Sequence, residues 1–135
     1  MMNKMPCHMS SVLPVVALAI SAAAVSLTAK AESDGWYTEA QAEEGGTLYN
    51  TYCAQCHRTD LSGAQGPALT GEKFLSRYKT GAQLYDYTNK TMPPTNPGSV
   101  PGDDLIRIMA FILSENGLPA GAELTEGNLD RPLKP

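Results

Sequence analysis

The clearest hydrophobic pattern in the chain lies near its end. Leu105, Ile108, Met109 and Ile112 recur at i, i+3, i+4 and i+7, which predicts a helix over Asp103–Glu115. Asp103 and Asp104 fall in its first turn, where the helix dipole favours negative charge. Phe111 broadens the apolar face, and Asn116-Gly117 followed by Pro119 supplies the stop. A second helix opens at Thr38-Glu39-Ala40-Gln41, a capping box, and should run to about Cys53. Gly45 and Gly46 inside it each cost about 1 kcal/mol against Ala, which suggests close approach of another helix. Gly45, Tyr49 and Cys53 lie one turn apart on a single face. Thr80-Gly81-Ala82-Gln83 reads as another capping box, opening a helix to about Lys90 whose apolar residues are Leu84, Tyr85 and Tyr87. Gly71 to Tyr78 predicts a short helix with Phe74 and Tyr78 four apart.

The segments between are irregular. Arg58–Thr70 is a loop punctuated by Gly63 and Gly66-Pro67, with Leu69 as the residue able to turn inward. Glu32–Tyr37 reads as a loosely tied polar arm. Ala120–Pro135 reads as a polar, irregular tail lying over the domain. The expectation is an all-α fold of four or so helices.

The chain has 135 residues, which suits one small domain. Its first 31 read as a signal peptide: Lys4, then the apolar run Val12–Leu27, then Ala29-Lys30-Ala31 with cleavage expected after Ala31. The alternative is an uncleaved membrane anchor, but the run is short for a span and contains Pro14. The expected mature domain is then 32–135, or 104 residues (135 less 31). Without Lys4 and Lys30 it has eight basic residues against 14 acidic, a net of −6. Such a surface argues against nucleic acid and anionic lipid as partners. The expected location is the periplasm, with no membrane insertion of the mature chain.

The chemistry centres on Cys53-Ala54-Gln55-Cys56-His57, the C-x-x-C-H pattern of c-type haem attachment. Two thiols at this spacing can each add to one haem vinyl group, and His57 can then ligate the iron from beneath the ring. A structural zinc site needs four ligands, and outside the leader the chain has no other Cys or His. A thioredoxin-type pair would need a βαβ context that the chain lacks, and a plain disulfide leaves His57 unexplained. The third cysteine, Cys7, lies in the leader with His8.

A sixth iron ligand is sought among the methionines. Outside the leader there are two, and Met109 belongs to the apolar helix as filler. Met92 stands in Thr91-Met92-Pro93-Pro94, where the following proline forces it out of helical geometry and leaves its thioether free to project. His57 and Met92 are the candidate axial ligands, as expected of an electron-transfer haem. The predicted cofactor is one covalent haem c, without which a domain of this size should be largely unfolded.

In this order the motifs resemble the class I c-type cytochromes. They are Gly45-x-x-x-Tyr49-x-x-x-Cys53-x-x-Cys56-His57, Gly66-Pro67-Ala68-Leu69, Met92-Pro93, and Ile108-Met109-Ala110-Phe111-Ile112. The likeness covers about Gln41 to Leu118 and implies a small cytochrome c fold wrapped around the haem. By the family's pattern, Gly45 would pack against the last helix near Ile108 and Phe111. The Pro67 carbonyl would accept the second ring N–H of His57, and Leu69 and Phe74 would line the haem pocket. The family usually starts the last helix with Ser or Thr; Val100-Pro101-Gly102-Asp103 departs from that. The ending Phe111–Gly121 is similar to cytochromes that serve or are fused to periplasmic quinoprotein dehydrogenases.

The resemblance implies a single-electron carrier and not an enzyme, with a periplasmic dehydrogenase as donor and an oxidase or another cytochrome as acceptor. Two rival readings are a haem subunit working only within a dehydrogenase complex, and a haem enzyme or gas sensor with an open sixth position. The absence of a second His outside the leader weighs against the last.

Overall fold

The computed structural model describes residues 34–133. The leader, its cleavage site and the last two residues lie outside that range. Five α-helices follow one another: α1 Glu39–Tyr52, α2 Ala54–His57, α3 Glu72–Leu75, α4 Gly81–Thr91 and α5 Gly102–Glu115. A 3-10 turn follows at Glu126–Asn128. Among the described residues there is no strand, only two isolated bridges, Tyr37 with Ala120 and Thr80 with Pro132. No helix among the described residues is long and apolar enough to cross a membrane.

α1 starts where its sequence says it should. Thr38 Oγ1 accepts from the Gln41 amide, and Gln41 Oε1 accepts from the Thr38 amide, so two of the helix's orphan donors are satisfied. Gln41 also uses its side chain at distance: Oε1 accepts from the Leu124 amide, and Nε2 donates to the Leu124 carbonyl. α4 starts differently from expectation. Thr80 Oγ1 does accept from the Gln83 amide at 3.3 Å, but Gln83 Oε1 takes the Lys79 amide, one residue earlier than a capping box requires. The α5 N-cap, Pro101, makes no side-chain cap bond. Its entry is set by Pro101 and by Asp103 and Asp104 in the first turn.

The α1–α5 crossing is the most extensive helix contact in the fold. Gly45 permits it. A Cβ there would run into the Arg107 carbonyl and sit 3.0 Å from Phe111 Cβ. The contact is thus to the Arg107 backbone, next to Ile108, and to Phe111, in the region of α5 that the resemblance implied. Tyr49, one turn on, is fully buried with its ring 5.2 Å from that of Phe111. From α5 the core takes Leu105, Ile108, Met109 and Leu113, each 1% exposed or less. Met109 is core filler, as its position in the apolar stripe predicts.

Both ends of the domain are more structured than their composition suggests. The segment before α1 is no loose arm: Trp36 and Tyr37 are buried. The Trp36 amide donates to the Pro119 carbonyl, and the Tyr37 hydroxyl to the Leu118 carbonyl. The tail is irregular but contributes Leu124, Leu129 and Leu133 to the core. Arg131 closes the two ends together, its guanidinium 4.5 Å from the Trp36 ring centroid and bonded to the Gly35 and Asp34 carbonyls. The Tyr85 hydroxyl donates to Glu126 Oε1 at 2.8 Å, pinning the tail to α4.

Gly45→Ala should destabilise the protein by about 1–3 kcal/mol, because backbone must move to admit the methyl. Gly46→Ala should stay within about 1 kcal/mol of the parent, since helix propensity offsets a 3.3 Å approach to the Phe111 ring. Thermal unfolding of the two variants tests the contrast. Burial, then the Glu126 carboxylate, pushes the Tyr85 hydroxyl up from 10.0 to about 12. Its stabilising neutral form is complete below pH 10 and is lost as pH rises through 12. Tyr85→Phe should flatten the fall in melting temperature across that window.

Candidate haem site

α1 ends at Tyr52, and Cys53 breaks the helix with φ −122° and ψ −34°. The single turn of α2 then carries Cys56 and His57 round to one side. Beyond it the chain reverses sharply: Arg58 and Leu61 both have positive φ, 63° and 59°. The loop folds back onto the motif. Gly63 donates to the His57 carbonyl, Ala64 and Gly66 donate to the Cys56 carbonyl, and Leu69 donates to the Leu61 carbonyl. Leu61 is fully buried under this loop. The Tyr49 hydroxyl donates to the Arg58 carbonyl at 2.8 Å, so the glycine–tyrosine stripe of α1 terminates on the chain just past His57.

His57 is the one polar residue buried in the described core, 8% exposed. Its Nδ1 lies 2.8 Å from the Pro67 carbonyl. A carbonyl can only accept, so Nδ1 bears the proton and Nε2 keeps the lone pair. Gly66 packs flat against the ring. A Cβ there would collide with Cε1 and come within 2.7 Å of Nδ1. The imidazole is thus held by a carbonyl at one edge and by a bare backbone along its side.

Cys53, Cys56 and His57 line one wall of a cleft of about 920 Å³, its open mouth included. The two cysteines are free thiols and half-buried. Burial first, and the neighbouring Cys56 second, push the Cys53 thiol up to about 11. The neutral state suits a group destined to become a thioether. Pro67 and Leu69 continue that wall, while Phe74, Tyr78 and Leu84 come from α3, the turn after it and α4. Val100, Leu105, Ile108 and Ile112 form an apolar floor.

Met92 lines the same cleft. It caps α4 in extended geometry, φ −118° and ψ 148°, as its position before proline predicts, and its peptide bond to Pro93 is cis. Pro93 and Pro94 also border the cleft. All four residues singled out from the sequence therefore meet in one place, together with Leu69 and Phe74. The residues fit a porphyrin: paired thiols, an imidazole lone pair and a thioether around an apolar slot. Among the described residues no three of His, Cys, Asp or Glu converge to hold a bare metal ion.

Several residues at the site escape sequence reasoning. Tyr52, Arg77, Tyr87, Thr88, Asn89 and Val100 all line the cleft. Asn116 has a larger part than helix stop. Its Nδ2 donates to the Leu69 and Ile112 carbonyls and its Oδ1 accepts from the Gly71 amide, tying the end of α5 to the loop beside His57. Its place before Gly117 was a signal for the cap but not for these partners.

The protein family described as cytochrome c oxidase, cbb3-type, subunit III matches residues 40–112, more than half of the chain. The chain belongs to this family. It is a class I c-type cytochrome: it carries covalently bound haem c and transfers electrons instead of catalysing a reaction. The match ends within α5, so the buried leucines of the tail lie outside it. No solved structure matches the chain.

Gly66→Ala should force the His57 ring out of its position. The expected result is altered haem absorption and a fall in haem content of the purified protein, with Gly71→Ala as the control. Gly71 faces open space and, unlike Gly66, has positive φ, 90°, so its variant carries backbone strain without a clash against the ring. Equal spectra for Gly66→Ala and the parent would show that the ring does not depend on that contact.

Proposed function

We propose that this cytochrome is a periplasmic single-electron carrier whose haem is bound through Cys53 and Cys56 and ligated by His57 and Met92. The supporting observation is that the His57 lone pair and the Met92 segment border one apolar cleft. Each thiol would add its sulfur and its hydrogen across one vinyl double bond, a balanced addition that needs no oxidant. Bound haem supplies one iron that exchanges a single electron between ferrous and ferric states. The Pro67 carbonyl, by holding Nδ1–H, orients the imidazole and raises the basicity of Nε2. The apolar floor from α5 keeps water out, and a thioether ligand with low polarity favours the ferrous state.

The electron donor we infer is a periplasmic dehydrogenase, in keeping with the likeness of the Phe111–Gly121 ending, and the acceptor an oxidase or a further cytochrome. The domain spans 32–135 after removal of a leader ending at Ala31. Docking would be transient, through a small interface. A second reading, a subunit resident in a larger assembly, draws support from the family description, which names an oxidase subunit. Co-purification with a large enzyme at high salt would favour the subunit, and its absence the shuttle.

Met92→Ala tests the ligation. The ferric variant should lose the weak long-wavelength band of sulfur-bound haem, the ferrous variant should take up carbon monoxide, and the reduction potential should fall. A variant with unchanged spectrum and potential would remove Met92 from the iron.

A further inference from the structure

The loop 92–101, between α4 and α5, brings both Met92 and Val100 to the cleft. Its backbone hydrogen bonds are short-range: Asn96 donates to the Pro93 carbonyl, Gly98 to that of Met92 and Ser99 to that of Asn96. Such bonds shape a loop but do not fix it against the rest of a domain. Its placement depends on how α4 and the first turn of α5 are held relative to each other.

One side chain stands at both. Glu126 Oε1 accepts from the Tyr85 hydroxyl at 2.8 Å, and Tyr85 lies in α4 about two turns before Met92. At the other end, a Cβ on Gly102, the first residue of α5, would lie 3.4 Å from that same carboxylate oxygen and 3.4 Å from the Tyr85 hydroxyl. The carboxylate therefore sits where α4, α5 and the tail meet. The tail holds it there from both sides. Leu124 and Leu129 are buried, the Gln41 side chain binds the Leu124 amide and carbonyl, and the Leu129 carbonyl accepts from Ala82. Between them, the Asn128 side chain accepts from the Thr125 amide and donates to the Glu123 carbonyl, closing the turn that carries Glu126. Glu126 lies beyond the family match, which ends at residue 112.

We propose that Glu126 is a positioning residue for the sixth iron ligand: by holding Tyr85 of α4 at the start of α5, it clamps both ends of the loop that presents Met92. The inference rests on Met92 being that ligand. Its effect is on the population of protein in which the sulfur occupies the iron, not on the chemistry of the iron.

The test compares the haem-loaded protein with Glu126→Ala, Glu126→Gln and Arg131→Gln. Glu126 is exposed as a residue, so its truncation leaves the core intact. Glu126→Ala should raise the apparent affinity of the ferrous protein for carbon monoxide by about three- to tenfold, the worth of one hydrogen bond read as a larger share of open iron. The sulfur-bound band of the ferric form should weaken with it. Glu126→Gln keeps an acceptor for Tyr85 and should restore most of the parent affinity. Arg131→Gln loosens the tail at Trp36, away from the loop, and should lower the melting temperature without changing carbon monoxide affinity. Parent affinity in Glu126→Ala overturns the proposal, as does an equal rise in Arg131→Gln, which would make the tail's role one of general stability. A parent protein that lacks the sulfur-bound band defeats the Met92 ligation and the proposal with it, whereas a parent that has the band and is matched by Glu126→Ala defeats the proposal alone.

Discussion

The hydrogen bond from His57 Nδ1 to the Pro67 carbonyl determines which nitrogen of the ring is left with a lone pair, and the remainder of the domain keeps that bond in place. Pro67 can hold its carbonyl there only if the loop 58–69 returns to the motif it leaves. It does so through left-handed turns at Arg58 and Leu61 and through amides donated back to the Cys56 and His57 carbonyls. Gly66 is required by the same closeness, since any side chain would occupy the imidazole's space. Tyr49 secures the loop from the α1 side and Asn116 from the α5 side. Two helices distant in sequence thus converge on the orientation of one ring.

That arrangement also explains why the α1–α5 crossing is so tight. Tyr49 bonds the Arg58 carbonyl and packs its ring against Phe111 of α5, and Gly45 removes the side chain that would keep the two helices apart. The helix-propensity cost of a glycine in mid-helix is about 1 kcal/mol, small beside the burial of Tyr49, Ile108 and Met109 that the crossing permits. Packing at one end of the helix pair and electron-transfer chemistry at the other are linked through a single tyrosine hydroxyl.

The two halves of the cleft differ in construction. The His57 wall is rigid by hydrogen bonding, with three amides donated to the Cys56 and His57 carbonyls within one loop. The Met92 side depends on where α4 stops and on the prolines that follow. α4 is in turn held by the tail, through Glu126 on the Tyr85 hydroxyl and through the Leu129 and Arg131 carbonyls, which accept from Ala82 and Gly81. A segment beyond the family match therefore steadies the helix that presents Met92.

The chain's local chemistry was enough to locate four of the five helices, α2 excepted, and to name the candidate site residues. Capping at Thr38, the apolar stripe of α5, the proline after Met92 and the C-x-x-C-H spacing are short-range rules, each complete within a few residues. They named Cys53, Cys56, His57 and Met92, and the fold brings all four to one cleft. Contacts between distant segments were not readable in this way. Trp36 and Leu133 sit in polar stretches whose composition suggests solvent, yet they are buried because the two termini cover each other. Gln83 had the spacing of a capping box but took the Lys79 amide, an equally local option that sequence does not rank. Arg77 looked like any surface arginine until α3 and α4 set it on the cleft. Periodicity and spacing record what a residue does to its near neighbours. Which distant surface it meets is decided only when the whole chain closes around the slot.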